Sequence, residues 1–309
     1  MPIDIINEST KNAMGGTELQ AYELQRRLSP ELLENIQIIP SRVRELDFSK
    51  KRVLWNHDLA GDPEAEHLAN GGYNKFDKIV FVSNWQMQSF INKYSIPWYK
   101  CAVVQNAINP LELSKPWVQG EKLKLIYHTT PHRGLNILLS AFDKLCEIHE
   151  DIELDVFSSF KIYGWEERDA QFQSLFDFCK DHPNINYHGS VPNEDIRTAL
   201  SSSHIFAYPS VWQETSCIAL IEAMSAGLLC VHPNYAALPE TAANWTWQYQ
   251  YQDSIRDHTN HFFQSLNQAI TLYKSGAVTN RLYNQASYTN MFYDWNNRQL
   301  EWEMILRSL

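Results

Sequence analysis

Two acidic residues, Glu214 and Glu222, stand eight positions apart in the run QETSCIALIEAMSAG. Nearly every neighbour of Glu222 is apolar, so a helix here would bury its carboxylate, and an unpaired buried carboxylate costs several kcal/mol. Thr215 or Ser216 could cap this helix, and Gly227 would end it. At a helical rise of about 1.5 Å per residue the two carboxylates would lie on the order of 10 Å apart, which suits opposite ends of one extended polar ligand.

A glycine pair precedes a helical pattern in NAMGGTELQAYELQRRL. Thr17 and Gln20 fit a capping box, with Thr at the cap and Gln at the third position. Gly15 and Gly16 would expose backbone N–H groups beside the positive end of this helix, which makes the loop a candidate anion site. On these residues alone, a tight turn that leads into a surface helix is the better interpretation.

Arg133 and His57 each follow a strand pattern, in LIYHTTPHRGLNILLSAF and RVLWNH. A guanidinium at the first corner, together with the Thr129 hydroxyl and free helix N–H groups, would bind a phosphate through charge-assisted hydrogen bonds. The alternative is an exposed arginine paired with a surface acid. His57 could reach a ligand at the carboxyl end of its strand, or bond to neighbouring backbone, and the residues favour neither.

No metal or cofactor is predicted. His128 and His132 have the spacing of helical zinc ligands, but Pro131 lies between them and a third ligand is missing nearby. The sequence also contains no D-x-D triplet of the kind that holds Mg²⁺ or Mn²⁺.

The composition is that of a globular protein. The chain has 309 residues, 44% of them hydrophobic and 20% charged, which is enough for two domains. A net charge of -10 argues against a nucleic-acid partner. The run Lys50-Lys51-Arg52 could touch an anionic surface, but a solvated face explains it better, so membrane contact is not indicated. Scattered cysteines, and the lack of a membrane span or signal peptide in the sequence, predict a cytoplasmic protein.

Strand patterns alternate with helical patterns along most of the chain, which predicts an α/β protein with parallel sheets. The eight strand patterns are RVLWNH, KIVFVS, CAVVQN, LKLIYHT, ELDVFSS, INYHGS, HIFAYPS and LLCVHP. The aperiodic stretch NPLELSKPWVQGEK, residues 109–122, predicts a linker. It would separate a short first domain, 1–108, from a second domain, 123–291. A last helix, 292–309, could pack against either domain, including back onto the first.

The ordered motifs GGTE, WNHD, HRGL, HGSVPNEDI, YPSVWQETSCIALIEAMSAG and LPET resemble those of the glycosyl transferase group 1 family, also called glycosyltransferase family 4. This resemblance implies the GT-B fold, with two facing Rossmann-like domains, of which the first is short here. It implies transfer of a hexosyl group from a nucleoside-diphosphate sugar to an acceptor hydroxyl with retention of configuration. The missing D-x-D triplet predicts that this transfer needs no divalent metal. The acceptor would be a glycan, a lipid-linked molecule or a small molecule.

The resemblance also assigns roles to individual residues. Glu222 would bind the ribose hydroxyls and Glu214 the transferred sugar, which His57 would face from the first domain as a second catalytic residue. The diphosphate would lie among Arg133, the amides around Ser216 and the glycine loop. A second cation that the family often has is replaced here by His128. The full predicted donor site comprises Gly15, Gly16, Thr129, Arg133, Tyr163, Gly164, Val191, Glu214, Thr215, Ser216 and Glu222.

Two other classes of function fit the same sequence. One is a sugar-nucleotide epimerase or hydrolase with the same fold, and the other is a catalytically silent scaffold that binds a glycan or a partner protein. UDP-, GDP-, ADP- and dTDP-sugars all remain candidate donors, and the sequence predicts no particular oligomeric state.

Overall fold

The computed structural model describes residues 15–309, which form two compact units. Unit 1 contains the described residues up to Ile108 together with Tyr293–Leu309, and unit 2 is Asn109–Phe292. Residues 109–122, predicted as a linker, are part of unit 2 and are bonded to its helix Ile218–Ser225 and the residue after it. The Leu111 amide donates to the Ser225 hydroxyl at 2.9 Å, and the Ser114 amide donates to the Ala226 carbonyl at 2.8 Å.

Unit 1 is built on a four-stranded parallel sheet in the order β1-β2-β3-β4. Two 3₁₀ stretches, joined by a kink at residues 69–71, span Pro63–Lys75 before β3, and a short 3₁₀ turn at Trp98–Lys100 precedes β4. The elements in chain order are α1 (Gly16–Arg27), α2 (Pro30–Leu33), β1 (Ile36–Pro40), β2 (Lys51–Asn56), β3 (Lys78–Phe81), α3 (Asn84–Tyr94) and β4 (Cys101–Val103).

Unit 2 contains a six-stranded parallel sheet in the order β10-β9-β8-β5-β6-β7. From β5 the chain adds strands first on one side and then, from β8, on the other, so the strand order reverses between β5 and β8. Its elements are β5 (Leu123–Tyr127), α4 (Leu135–Cys146), β6 (Ile152–Val156), α5 (Gln173–Asp181), β7 (Ile185–Tyr187), α6 (Asn193–Leu200), β8 (Ile205–Ala207), α7 (Ile218–Ser225), β9 (Leu229–Pro233), α8 (Leu238–Ala242), β10 (Trp247–Tyr249), α9 (Ile255–Lys274) and α10 (Thr279–Phe292).

The last helix, α11 (Trp295–Arg307), packs on unit 1. Trp302 is fully buried, and its ring lies 4.9 Å from that of Trp55 on β2 in an edge-to-face arrangement. Such aromatic pairs contribute about 0.5–1.5 kcal/mol beyond the area they bury. The Trp and Leu residues that the sequence places at helical spacing therefore complete the core of the first sheet.

Candidate functional site

The loops that follow β5 and β8 bring Arg133 and Glu214 together. These strands are neighbours at the point where the strand order reverses, and in open α/β sheets ligands bind at the carboxyl ends of such strands. Arg133 Nη1 donates to Glu214 Oε1 at 2.5 Å, and the Tyr208 hydroxyl donates to the same oxygen at 2.5 Å. Sequence reasoning assigned the two residues to different parts of a ligand and did not predict their ion pair.

The electrostatics of this cluster keep its charges fixed. Burial alone would lower the pKa of Arg133, but the neighbouring Glu214 carboxylate raises this pKa well above its ordinary value. Burial raises the pKa of Tyr208 well above its usual range, so its hydroxyl stays protonated and can donate. Within the described part of the chain, Arg133 Nε is buried and makes no hydrogen bond. The guanidinium thus offers a buried donor that the protein itself does not use.

A glycine fixes the position of Arg133. Gly134 has a φ of 118°, and a Cβ on it would lie 2.2 Å from the carbonyl oxygen of Pro209. Only glycine allows this approach between the two loops, because it has no side chain and adopts positive φ readily. The Val211 amide then donates to the Arg133 carbonyl at 3.4 Å. The HRG segment (132–134) and the YPS segment (208–210) therefore pack directly against each other.

Glu222 lies on α7, but Glu214 does not. The helix has Cys217 as its N-cap, so Thr215 and Ser216 precede it and neither of them caps it. The prediction of a Thr215 or Ser216 cap is wrong. The backbone just before these residues is bonded to the loop after β9, because the Glu214 carbonyl accepts from the Ala237 amide at 3.1 Å. The distance estimated from helical rise does not apply to these two carboxylates.

The buried Glu222 carboxylate is paired with Arg197, a residue that sequence reasoning missed. Arg197 Nη1 lies 3.2 Å from Glu222 Oε1, and Arg197 Nη2 donates to the Asn109 carbonyl at 3.0 Å. Burial raises the pKa of Glu222, and Arg197 opposes this shift. A signal was present in the sequence, because Arg197 is the only Lys or Arg between Lys180 and Arg256. A buried acid in that span had one local cation available.

Gly15 and Gly16 lie in unit 1 at the start of α1, where Gly15 is the N-cap. The predicted capping box is wrong. Thr17 lies inside the helix, and the Gln20 side chain instead donates to the Ala107 carbonyl at 2.7 Å and accepts from the Ala107 amide at 2.9 Å. Ala107 is buried, so its backbone polar groups need these partners. The residues that precede Gly15 lie outside the described residues.

His57 follows β2 in unit 1, at the carboxyl end of that strand as predicted. Its ring lies 4.7 Å from that of Trp55, and its backbone amide donates to the Ser41 hydroxyl at 2.9 Å. Burial lowers the pKa of His57 to about 3, so the imidazole is neutral at pH 7. Burial and the charge of Asp62 raise the pKa of the adjacent Asp58 to about 6. His57 can therefore offer hydrogen bonds but no positive charge.

The other predicted donor residues all follow strands of the second sheet. Thr129 comes after β5 and Val191 after β7, while Tyr163 and Gly164 end the 3₁₀ turn that follows β6. His128, at the position where the family often has a cation, lies 4.9 Å from the Phe206 ring, and burial lowers its pKa to about 4. The segments 128–134 and 208–217 accordingly contain a single permanent cation, Arg133.

Residues 15–309 contain no group of three or more His, Cys, Asp or Glu side chains arranged to hold a metal ion. None of the helices in that range is long and apolar enough to cross a bilayer.

Comparison with known proteins finds a family model that matches the part of the chain containing Arg133, Glu214 and Glu222. Residues 117–261 match the model of glycosyl transferases group 1. The phosphatidylinositol N-acetylglucosaminyltransferase GPI3 subunit of Saccharomyces cerevisiae (strain YJM789) is 25% identical over 293 residues, which cover 85% of this chain and 61% of that protein. The gpi3 subunit of the same transferase in Schizosaccharomyces pombe is 19% identical over 202 residues, 62% of this chain and 42% of that protein. The chain thus spans less than two thirds of the length of these relatives.

Solved structures share the fold. A glycosyltransferase from Rickettsia africae superposes with a TM-score of 0.68 and 16% identity, covering 98% of this chain and 83% of that one. Anabaena HepE in complex with UDP-glucose gives a TM-score of 0.65 with 14% identity, covering 94% of this chain and 82% of that one. The predicted GT-B fold with parallel sheets is confirmed.

Proposed function

We propose that this chain, whose residues 117–261 belong to the glycosyl transferases group 1 family, transfers a hexosyl group from a nucleoside-diphosphate sugar to an acceptor hydroxyl with retention of configuration. The observation that carries the proposal is the Arg133–Glu214 ion pair at the carboxyl ends of β5 and β8, with Arg133 Nε buried and unused. A cation with a spare donor at this position suits a diphosphate.

In this proposal Arg133 stabilises the departing diphosphate. Negative charge develops on the leaving group in the transition state, and a fixed cation in a buried site stabilises that charge more strongly than water does. The free N–H groups at the start of α4, directly after Gly134, would contribute further donors. Because the pKa of Arg133 is raised, its charge does not vary over the pH range in which proteins stay folded.

The two glutamates bind different parts of the donor. Glu214 keeps one oxygen on Arg133 and Tyr208, and its other oxygen would accept a hydroxyl of the transferred sugar. Glu222, oriented by Arg197, would accept the ribose hydroxyls. The leaving phosphate would take the acceptor proton, and the neutral His57 imidazole would polarise a sugar hydroxyl by hydrogen bonding.

The names of the relatives suggest a donor, an acceptor and partners. We propose UDP-N-acetylglucosamine as the donor and a lipid-linked acceptor of the phosphatidylinositol type, since the curated relatives are phosphatidylinositol N-acetylglucosaminyltransferase subunits. The word subunit in these names also supports action together with partner proteins. A cytoplasmic location stays a prediction.

Calorimetry with sugar nucleotides and their parent nucleosides tests the donor site. UDP-, GDP-, ADP- and dTDP-sugars are compared for the wild type, Arg133→Ala and the control Arg256→Ala, which removes an exposed arginine of α9. Charge-assisted hydrogen bonds contribute roughly 1.5–3 kcal/mol, so Arg133→Ala should weaken the preferred sugar nucleotide about tenfold or more and leave the nucleoside unchanged. A parallel loss of both affinities would make Arg133 structural. Failure of every sugar nucleotide to bind the wild type would refute the proposed function.

Product analysis tests the reaction itself. With donor and acceptor present, the α-linked product should form, whereas free sugar or an epimer made without acceptor would identify a hydrolase or an epimerase instead. Binding without any turnover would indicate a silent scaffold.

We also propose that turnover needs no divalent metal, because Arg133 and helix N–H groups would supply the charge stabilisation. Excess EDTA should leave the rate close to its full value. A loss of rate that Mg²⁺ or Mn²⁺ restores, in the chemical step, would overturn this assignment.

A further inference from the structure

The amino edge of the first sheet displays three exposed aromatic side chains. We define the amino edge as residues 48–52, 75–78 and 98–101, the segments in which β2, β3 and β4 begin. Phe48, Trp98 and Tyr99 on this edge are 71%, 67% and 72% exposed. Because the strands are parallel and adjacent, their first residues lie side by side, so the three segments form one surface.

Hydrogen bonds from basic side chains tie the first two segments together. The Arg52 guanidinium lies 4.7 Å from the centre of the Phe48 ring, and Arg52 Nε donates to the Lys75 carbonyl at 2.6 Å. The Lys51 ammonium lies 3.3 Å from the Asp77 carboxylate. The exposed Phe48 is therefore held against a charged side chain of an ordered strand.

The third segment is fixed in the same way. Lys78 Nζ donates to the Tyr99 carbonyl at 2.9 Å, and Lys100 Nζ donates to the Phe76 carbonyl at 2.7 Å. These bonds hold the backbone beneath Trp98 and Tyr99, so the two rings project from a rigid frame. Large aromatic side chains that are exposed on such a fixed backbone indicate a surface that meets something apolar.

The amino edge is basic, although the whole protein is acidic. Its three segments carry six basic side chains, which are Lys50, Lys51, Arg52, Lys75, Lys78 and Lys100, against one acid, Asp77. Asp47 and Glu34 flank this surface. The net charge of the chain is -10, so an anionic surface would repel most of the molecule and attract this edge. The charge distribution therefore favours one orientation toward such a surface.

We infer that the amino edge docks on the anionic phospholipid surface of a membrane. Trp and Tyr are enriched at the level of the headgroups, where the ring meets acyl chains and the polar atom meets water, and Lys and Arg beside them are attracted to anionic lipids. The carboxyl end of β2, where His57 lies, is the opposite edge of the same sheet. Docking by the amino edge leaves that end facing away from the bilayer, so the lipid-linked acceptor proposed above would reach it only when a partner protein presents it.

A second copy of the chain fits this surface poorly. A two-fold symmetric contact would place the six basic side chains of one copy against the same six of the other, and like charges brought together in this way disfavour association. The inference does not rest on the proposed activity, because it concerns binding to a surface and is tested without turnover.

The test is co-sedimentation of the full chain with vesicles of phosphatidylcholine alone or of phosphatidylcholine with phosphatidylserine. Two double variants remove the two parts of the surface: Trp98→Ala with Tyr99→Ala, and Lys50→Glu with Lys75→Glu. The control combines Tyr283→Ala with Lys180→Glu, which are an aromatic and a basic residue outside the amino edge. They are comparably exposed, since Tyr283 is 61% exposed on α10 and the Lys180 side chain is 52% exposed on α5.

The wild type should partition onto the phosphatidylserine vesicles, with affinity falling as salt is raised. Each basic residue near an anionic surface contributes roughly fivefold, so the lysine variant, which removes two, should lose about 25-fold or more, and the control variant should lose little. The aromatic variant should also lose affinity, because it no longer has the two rings that would enter the headgroup layer. The melting temperature of each variant should match the wild type, since the substituted side chains are at the surface.

Several outcomes would overturn the inference. These are equal binding to both vesicle types, no binding by the wild type, or binding that both double variants retain. Self-association or oligonucleotide binding that the variants abolish, without vesicle binding, would identify the amino edge as a different interface. If one double variant fails to fold, the other still decides, since each removes a part of the surface that the inference requires.

Discussion

The Arg133–Glu214 ion pair is predicted to be strongly coupled, and the two single substitutions should differ in a way that follows from their chemistry. The side chains of Arg133 and Glu214 are 21% and 6% exposed. Breaking a buried pair by removing one partner costs about 3–5 kcal/mol, because the remaining charge is left without compensation. A guanidinium cannot lose its proton, so Glu214→Ala should cost the full amount.

Arg133→Ala should cost less, and its cost should depend on pH. A carboxyl group left alone can be protonated, which at pH 7 costs roughly 3.7 kcal/mol and at pH 5 only about 1 kcal/mol. Tyr208 also continues to donate to Glu214 after the substitution. The penalty of Arg133→Ala should therefore shrink by about 1–2 kcal/mol between pH 7 and pH 5, whereas that of Glu214→Ala should stay constant.

The assay is urea unfolding of both single variants and the double variant at the two pH values, without ligand. Because the chain has two units, any two transitions are fitted separately. The double variant should lose less stability than Glu214→Ala alone, because it leaves no uncompensated charge, which corresponds to a coupling energy of at least about 2–3 kcal/mol. The exposed pair Lys180–Asp177, whose charged atoms lie 3.5 Å apart, is the matched control and should couple by less than about 0.5 kcal/mol. Additive losses at Arg133 and Glu214, or equal pH dependence of the two single variants, would refute this account.

Three further predictions concern other contacts in unit 2. Gly134→Ala should lower the free energy of unfolding by more than about 3 kcal/mol, because it adds a clash to an unfavourable φ. Gly276→Ala, at a φ of 75° with open space around it, should cost only about 1 kcal/mol, and equal costs in chemical denaturation would contradict the close approach. Arg197→Ala should destabilise by up to about 3 kcal/mol at pH 7, because the Glu222 carboxyl that it leaves can be protonated. Glu222→Ala leaves a guanidinium that stays charged and should cost about 3–5 kcal/mol, and no loss in either variant would show that Arg197 does not compensate the buried acid. His232 is fully buried, and burial lowers its pKa from 6.5 to about 4, so the folded state binds fewer protons and stability is lost as pH falls through this window. Between pH 7 and pH 4.5, the free energy of unfolding of His232→Gln should fall by roughly 2–3 kcal/mol less than that of the wild type, which melting temperatures at the two pH values would show. An unchanged pH profile would contradict this assignment.

Local sequence determined most of the secondary structure of this protein. Eight strand patterns, from RVLWNH to LLCVHP, correspond to β2 through β9 in the predicted order. Two strands were not predicted. β1 has the sequence IQIIP and β10 the sequence WQY, and in each a glutamine interrupts the apolar run. Full burial does not explain why they were missed, because β8 and β9 are also fully buried and were predicted from their continuous apolar runs.

The sequence also identified the residue types at the candidate site, because each stands where a strand pattern ends. Arg133, Glu214 and His57 all lie at carboxyl ends of strands in the structure. Periodicity could not predict which residues these side chains pair with. The pair Arg133–Glu214 spans 81 residues, and the bonds of Gln20 to Ala107 span 87. Such contacts depend on the path of the backbone through the whole unit rather than on neighbouring residues.

Tertiary structure alone decided the charges and the boundaries around the site. Burial makes His57 and His128 neutral at pH 7, and burial is a property of the packed molecule. The start of α7 after Glu214 likewise follows from a backbone bond to Ala237, which no local capping pattern encodes. Residue order therefore fixed which chemical groups are present at the ends of the strands. Packing fixed which of them are charged and which of them touch, because desolvation and long-range hydrogen bonds exist only once the chain has folded.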